Sequence, residues 1–131
     1  MSTFFAKHIT ISIARSADEV YTFVANPENL PRWASGLSNG VEQRGDVWVS
    51  ESPMGEVTIT FAPTNPYGVV DHDVTLGDET FYNPMRVLSN NDGCEVVFTL
   101  FRRPEMSDEE FAADQHAIET DLQTLKDIFE G

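Results

Sequence analysis

Ser107-Asp-Glu-Glu-Phe-Ala-Ala-Asp-Gln-His-Ala-Ile-Glu-Thr-Asp-Leu-Gln-Thr-Leu-Lys-Asp-Ile-Phe129 is the long stretch of this chain that keeps a helical period. Ser107 and Glu110 stand in the Ser-x-x-Glu capping-box relation, in which each side chain satisfies a backbone N–H that the first turn would leave without a partner. Met106 and Phe111 occupy the two positions of a hydrophobic staple. Asp108, Glu109 and Glu110 place negative charge at the positive end of the helix dipole, and Lys126 lies near the negative end. Phe111, Gln115, Ile118, Leu122, Leu125 and Phe129 recur at alternating steps of four and three, which puts them on one face. Gln115 is the polar member of that face, either an edge residue bonded to water or backbone, or one that lines a ligand cavity. Leu122 to Phe129 reads as plain core. A functional part of the helix would be its first half, Phe111 to Ile118.

Upstream, the period changes to that of strands. Ile9, Ile11 and Ile13 alternate with His8, Thr10 and Ser12, the pattern of a strand with one buried face. Ser16 and Glu19 form a second capping-box pair before the apolar Val20, Phe23 and Val24, so a short helix follows. Asn26 caps another short helical piece, with Pro27 at its first position, that ends near Ala34. From Gly36 onward six further strands are expected over Val41–Arg44, Val47–Glu51, Glu56–Ala62, Gly68–Leu76, Thr80–Leu88 and Glu95–Arg102. Segments rich in Gly, Pro, Asn and Asp, which supply turn geometry, separate them.

A strand-rich sheet with one long amphipathic helix must fold around that helix to bury its stripe. The expectation is an α+β fold, with one strand, two short helices, about six more antiparallel strands and one long C-terminal helix, as one domain over residues 1–131. This order, together with Ile11-Ser-Ile-Ala-Arg-Ser-Ala-Asp-Glu-Val-Tyr-Thr-Phe-Val24, Asn26-Pro-Glu-Asn-Leu-Pro-Arg-Trp33, Gly68-Val-Val-Asp-His-Asp-Val74 and Tyr82-Asn-Pro-Met-Arg-Val87, resembles the START-like, or SRPBCC, superfamily over the whole chain. The resemblance implies a helix-grip fold, a curved, seven-stranded antiparallel sheet wrapped around the C-terminal helix with a cavity between them. The family includes carriers, polyketide cyclases, hydrolases and co-chaperones, so the fold does not select among them.

Composition narrows the partners. Twenty-two acidic against eight basic residues give a formal charge of −14, which repels phosphate backbones and anionic membranes, so neither nucleic acid nor a membrane surface is expected as a partner. The acidic excess is spread along the chain, as a solvated surface would have it, and a basic protein partner also fits it. No apolar run approaches the roughly 20 residues of a membrane span, and Met-Ser-Thr-Phe-Phe-Ala-Lys at the start lacks the pattern of a secretory signal, so the expected compartment is the cytoplasm. Cys94 is the single cysteine, which leaves no internal disulfide or thiolate metal cluster. No glycine-rich phosphate loop, Rieske spacing or Ser-His-Asp pattern is present, and no cofactor or metal is expected.

The turns set the register. If Gly77-Asp78 closes a two-residue hairpin, Val74 pairs with Phe81, His72 with Asn83 and Val70 with Met85. A four-residue loop over Asn90–Gly93 pairs Val87 with Val96, Met85 with Phe98 and Asn83 with Leu100. One face is then apolar except for His72 and Asn83, which must bond each other, water or a ligand. The candidate ligand-binding residues are therefore Trp33, His72, Phe81, Asn83, Met85, Phe98, Phe111, Gln115 and Ile118, with Gln115 opposite the His72–Asn83 pair. His72 is the one candidate catalytic residue, because imidazole titrates near neutral pH. Asp71 and Asp73 alternate to the other face, toward solvent, and cannot converge with His72 on a metal ion. Arg86 reads as half of an outer-face ion pair. Trp33 would either close the cavity mouth, as the resemblance implies, or pack in the core, and Met54 with the loop Pro63–Pro66 would gate the entrance. The expected function is binding of a small hydrophobic or aromatic ligand, as carrier or sensor. A cyclase or dehydratase using His72 and an interaction domain with a closed pocket remain open.

Overall fold

In the computed structural model, which describes residues 1–53 and 55–131, the periodicities above resolve into eight strands and three α-helices. The order is β1 (Phe5–Ile13), α1 (Ala17–Val24), a 3-10 turn (Pro27–Asn29), α2 (Leu30–Trp33), a second 3-10 turn (Ser35–Leu37), β2 (Glu42–Arg44), β3 (Val47–Ser52), β4 (Gly55–Phe61), β5 (His72–Leu76), β6 (Glu79–Asn83), β7 (Met85–Asn90), β8 (Gly93–Arg102) and α3 (Asp108–Glu130). All strand pairs are antiparallel, in a three-stranded sheet β1-β8-β7 and a five-stranded sheet β2-β3-β4-β5-β6. Among the described residues, no helix is long and apolar enough to cross a membrane.

The caps form where the residue types place them. Ser107 Oγ accepts from the Glu110 N–H at 3.1 Å, and Glu110 Oε1 accepts from the Ser107 N–H at 3.0 Å, closing the box at the start of α3. Ser16 Oγ accepts from the Glu19 N–H in the same way, but Glu19 turns its carboxylate to Ser16 Oγ and Arg15 rather than back to the backbone. At its far end α3 is tied to β1: Lys126 Nζ donates to the Ser12 carbonyl at 2.6 Å, and Glu130 accepts from the Ala14 N–H at 2.9 Å. Leu122 and Leu125 are 1% and 0% exposed, and burial of each stabilises the helix on the sheet by about 1.5–3 kcal/mol.

The hairpin registers agree with the turn chemistry. His72 lies opposite Asn83 and Val74 opposite Phe81 across Gly77-Asp78, while Met85 lies opposite Phe98 and Val87 opposite Val96. The second turn is tighter than a four-residue loop. Asn90 pairs with Gly93, and Asn91 takes the left-handed conformation at φ 53°, which asparagine tolerates better than most residues.

The expected strand Thr80–Leu88 is two strands, and this raises the count from seven to eight. Pro84 has no N–H to continue a ladder, so β6 ends at Asn83 and β7 starts at Met85. The Thr99 N–H still donates to the Pro84 carbonyl at 3.0 Å, but the expected pairing of Asn83 with Leu100 does not form and β6 and β8 belong to different sheets. β5 is shorter than the expected Gly68–Leu76 because residues 68–70 leave the five-stranded sheet to lie along β7. Val70 N donates to Met85 O, and Val87 N to Gly68 O.

Asp71 fastens this junction. Its Oδ1 accepts from the Met85 N–H at 2.9 Å and Arg86 Nε at 3.0 Å, and its Oδ2 from an Arg86 terminal nitrogen at 2.8 Å and the Tyr82 hydroxyl at 3.2 Å. Arg86 therefore makes the expected outer-face ion pair. Asp71, expected in solvent, has a side chain only 17% exposed, because the strand break brings three neighbouring donor groups onto it. Burial pushes its carboxyl up, yet the Arg86 hydrogen bonds and charge, the Met85 N–H and Tyr82 together hold it below its ordinary value near 3.8.

Two outcomes test this junction. Asp71→Asn should lower stability by about 1–3 kcal/mol at neutral pH, since hydrogen bonds to a charged group are removed, as measured by urea denaturation. Because the folded-state carboxyl is depressed, its contribution is present above the ordinary value near 3.8 and disappears as pH falls through the depressed one, so the two proteins should converge in acid. Gly68 has φ +72°, and a Cβ there would lie 2.1 Å from the Val87 carbonyl oxygen. Gly68→Ala should thus cost about 2 kcal/mol or more, read as a fall in the denaturation midpoint.

Candidate functional site

Where β6 and β8 part, a cleft of about 990 Å³ opens between them and the first half of α3. Sheet residues Val74, Phe81, Asn83, Phe98 and Leu100 line it, and α3 contributes Glu110, Ala113, Asp114, Ala117 and Ile118. Phe4, Tyr82, Phe101 and Met106 complete its apolar margin, with Glu79, Arg103 and Glu105 around the mouth. The alternation of β8 is regular, with Cys94, Val96, Phe98 and Leu100 inward and buried. Val74 and Phe81 on the opposite strands are only partly buried because they face the open cleft.

Of the residues expected to bind a ligand, Phe81, Asn83, Phe98 and Ile118 line this cleft. His72 stands immediately behind it, with its ring centroid 5.2 Å from that of Phe61 and 6.0 Å from that of Phe98. The remaining four are elsewhere. Met85, the first residue of β7, is completely buried in the core, and Trp33 is 5% exposed in the core rather than at a cavity mouth. α2 packs against α3, and the Ser35 N–H donates to Asp121 at 3.1 Å, carrying Trp33 toward the second half of the helix. Its indole N–H finds no partner among the described residues. Phe111 is buried on the flank, where it meets Phe5 edge-on at 5.8 Å and has Arg102 over its ring.

Gln115 does not join His72 and Asn83. It borders a separate depression with Lys7 to Ile11 and Glu119, because the face of α3 turned to the cleft runs through Ala113, Asp114, Ala117 and Ile118, one step around from the apolar stripe. The stripe marked what the helix buries against the sheet. The small residues beside it mark what it leaves open, a signal present in the sequence as Ala113 and Ala117.

His72 and Asn83 are cross-strand neighbours, but no hydrogen bond joins their side chains. His72 Nδ1 lies 3.0 Å from the Val70 carbonyl. A carbonyl only accepts, so Nδ1 carries the proton and, in the neutral ring, Nε2 is left as an acceptor. Burial between Phe61 and Phe98 lowers the imidazole from its ordinary value near 6.5 and outweighs the Val70 carbonyl, Asp71 and Asp73, which act in the opposite direction. The ring is therefore neutral at neutral pH. Asn83 makes no side-chain hydrogen bond among the described residues, so its carboxamide is open to an occupant of the cleft. In the run Asp71-His72-Asp73, Asp71 is committed to Arg86, and the three side chains do not converge.

The loop expected to gate the cavity lies in another place. Asn65 braces it, accepting from the Tyr67 and Val69 N–H groups and donating to the Pro63 and Val69 carbonyls. The Asn65 N–H donates to the Tyr21 hydroxyl of α1. Pro66 and Tyr67 thus border a pocket of about 370 Å³ with α1 and β7, away from the cleft. Met54, the other gating candidate, lies outside the described residues.

No family model matches the sequence, and no curated protein matches it by sequence. Solved structures do match its fold. An uncharacterised protein from Bacillus thuringiensis superposes with a TM-score of 0.78 at 15% identity, over 97% of this chain and 100% of that one. The Aha1 protein from Colwellia psychrerythraea, solved as a dimer in solution, gives 0.78 at 16% identity over 96% of each chain. A START superfamily protein from Mycobacterium smegmatis gives 0.68 at 13% identity, over 95% of this chain and 97% of that one. With antiparallel sheets curved onto a long C-terminal helix, the chain has a START-like fold.

Proposed function

We propose that this protein binds a small, mostly apolar molecule in the cleft between β6, β8 and the first half of α3, as a carrier or sensor. The observation that carries this reading is an apolar space of about 990 Å³ that the chain's own side chains do not fill. It has the size of a small-molecule site, at the upper end of the usual range of roughly 300–1,000 Å³. START-like folds often bind small ligands. Asn83, with an uncommitted carboxamide at the sheet wall, supplies a polar group for orientation, as sites of this kind use.

Binding is favoured over catalysis by the placement of His72. General acid–base work requires an imidazole within hydrogen-bond reach of the reacting group. His72 stands behind Phe98, is held neutral by burial, and has one nitrogen committed to Val70. It supports the wall of the cleft and is not among the residues that line it.

The neutral dye N-phenylnaphthylamine tests the site. Its fluorescence should rise on titration into the protein, and Ala117→Trp, which fills the helix side of the cleft, should weaken binding roughly tenfold, the equivalent of about two buried methylenes. Gln115→Ala, on the other flank, should leave binding unchanged. Equal dye affinity in wild type and Ala117→Trp would move the site elsewhere. His72→Gln separates support from chemistry. Because the folded-state imidazole is depressed, the unfolded chain takes up its proton first as pH falls below about 6.5. The wild-type protein should lose stability over that interval, and the variant should lack that part of the loss in chemical denaturation at stepped pH.

A further inference from the structure

The cleft is apolar along its walls and one-sided in charge at its rim. Glu79, Glu105, Glu110 and Asp114 border it against the single guanidinium of Arg103. Arg103 does not neutralise them: it lies 4.3 Å from the centroid of the Phe81 ring and donates to the Thr80 carbonyl. Among the described residues it forms no ion pair. Glu110 keeps one oxygen on the Ser107 N–H and stays ionised, its carboxyl held low by the Ser107 backbone and side chain.

Asp114 is the member of this rim that faces the cleft with nothing to bond. It stands one helical turn beyond Glu110, on the same face of α3, and has no hydrogen bond or ion pair among the described residues. Its neighbours along the cleft, Ala113 and Ala117, offer it only methyl groups. Burial, reinforced by the Glu110 charge, pushes its carboxyl up. The groups of neighbouring elements that border the same space are Glu79, Tyr82, Arg103 and Glu105, of which only Arg103 is cationic, and it is engaged with β6. Asp114 is an exposed residue on the cleft wall, and a cation there would give its carboxylate a partner and offset its repulsion by Glu110. An anion would meet four carboxylates. The net charge of −14 acts in the same sense, raising the local concentration of cations around the molecule.

We propose that the occupant of the cleft is a cationic amphiphile, an amine with an apolar or aromatic body, whose ammonium group rests on Asp114 and Glu110 while its body lies against Phe81, Phe98 and Ile118. This rests on the reading of the cleft as a ligand site and adds the charge class of the ligand.

Three probes with one shared body distinguish the two levels: naphthylbutylamine, naphthylbutanol and naphthylbutanoate, titrated into the full chain by calorimetry at low and moderate salt. The amine should bind tightest and the carboxylate weakest, with only the amine weakened by added salt. Asp114→Asn, an exposed position with no partner to lose, should reduce amine affinity by roughly 3- to 5-fold, the upper range for a solvent-accessible ion pair, and leave the alcohol unchanged. Equal affinity of amine and alcohol would overturn the charge assignment while leaving the cleft as the site. Tightest binding by the carboxylate, lost in Arg103→Gln, would overturn it in favour of an anionic amphiphile. Failure of all three probes to bind would overturn the ligand site itself, and this inference with it.

Discussion

The arrangement of the molecule depends on one missing donor. Pro84 cannot supply the N–H that would keep β6 and β7 a single strand, so the ladder to β8 stops after the bond from Thr99 to the Pro84 carbonyl. The chain leaves one sheet and enters the other at that point. An interruption inside a sheet strands backbone donors, which is costly when they are not satisfied. Asp71 removes the cost by accepting the Met85 N–H, and the Arg86 guanidinium offsets the charge so introduced. Gly68 completes the junction by allowing the backbone to approach Val87 more closely than any side chain would permit.

The cleft follows from this break. Had Asn83 paired with Leu100, β6 and β8 would have formed one continuous surface and covered the N-terminal half of α3 as β1 and β8 cover the rest. Instead the strands diverge, and Val74, Phe81, Phe98 and Leu100 are left facing the helix across open space. The helix has small residues there, Ala113 and Ala117, so it does not fill the gap. Farther along, Leu122 and Leu125 close completely against the sheet. One helix thus serves two purposes along its length, closure at one end and a wall at the other.

Electrostatics separates the inside of this wall from its rim. His72 lies between two aromatic rings and is neutral, so the deep end contributes the Asn83 carboxamide rather than a charge. The rim contributes carboxylates with little compensating charge. That division, apolar and uncharged within and anionic at the edge, would suit an amphiphile entering body first.

Periodicity and turn chemistry sufficed for most of the elements, the capping box of α3 and both hairpin registers, because each depends on residues close in sequence, such as Ser107 with Glu110 and Gly77 with Asp78. They also placed Phe81, Asn83, Phe98 and Ile118 on the faces that meet at the cleft. The parting of β6 from β8, the burial of Trp33 and the turning of Gln115 away from His72 were decided in three dimensions. Each depends on how far α2 and α3 rotate and where two sheets separate, and those are set by packing between elements distant in the chain. A helical stripe tells which side is buried somewhere, but not which part of the buried surface the sheet will fail to reach. Here that part was fixed by a proline on a strand, a residue whose consequence appears only when its neighbours in the other sheet are known.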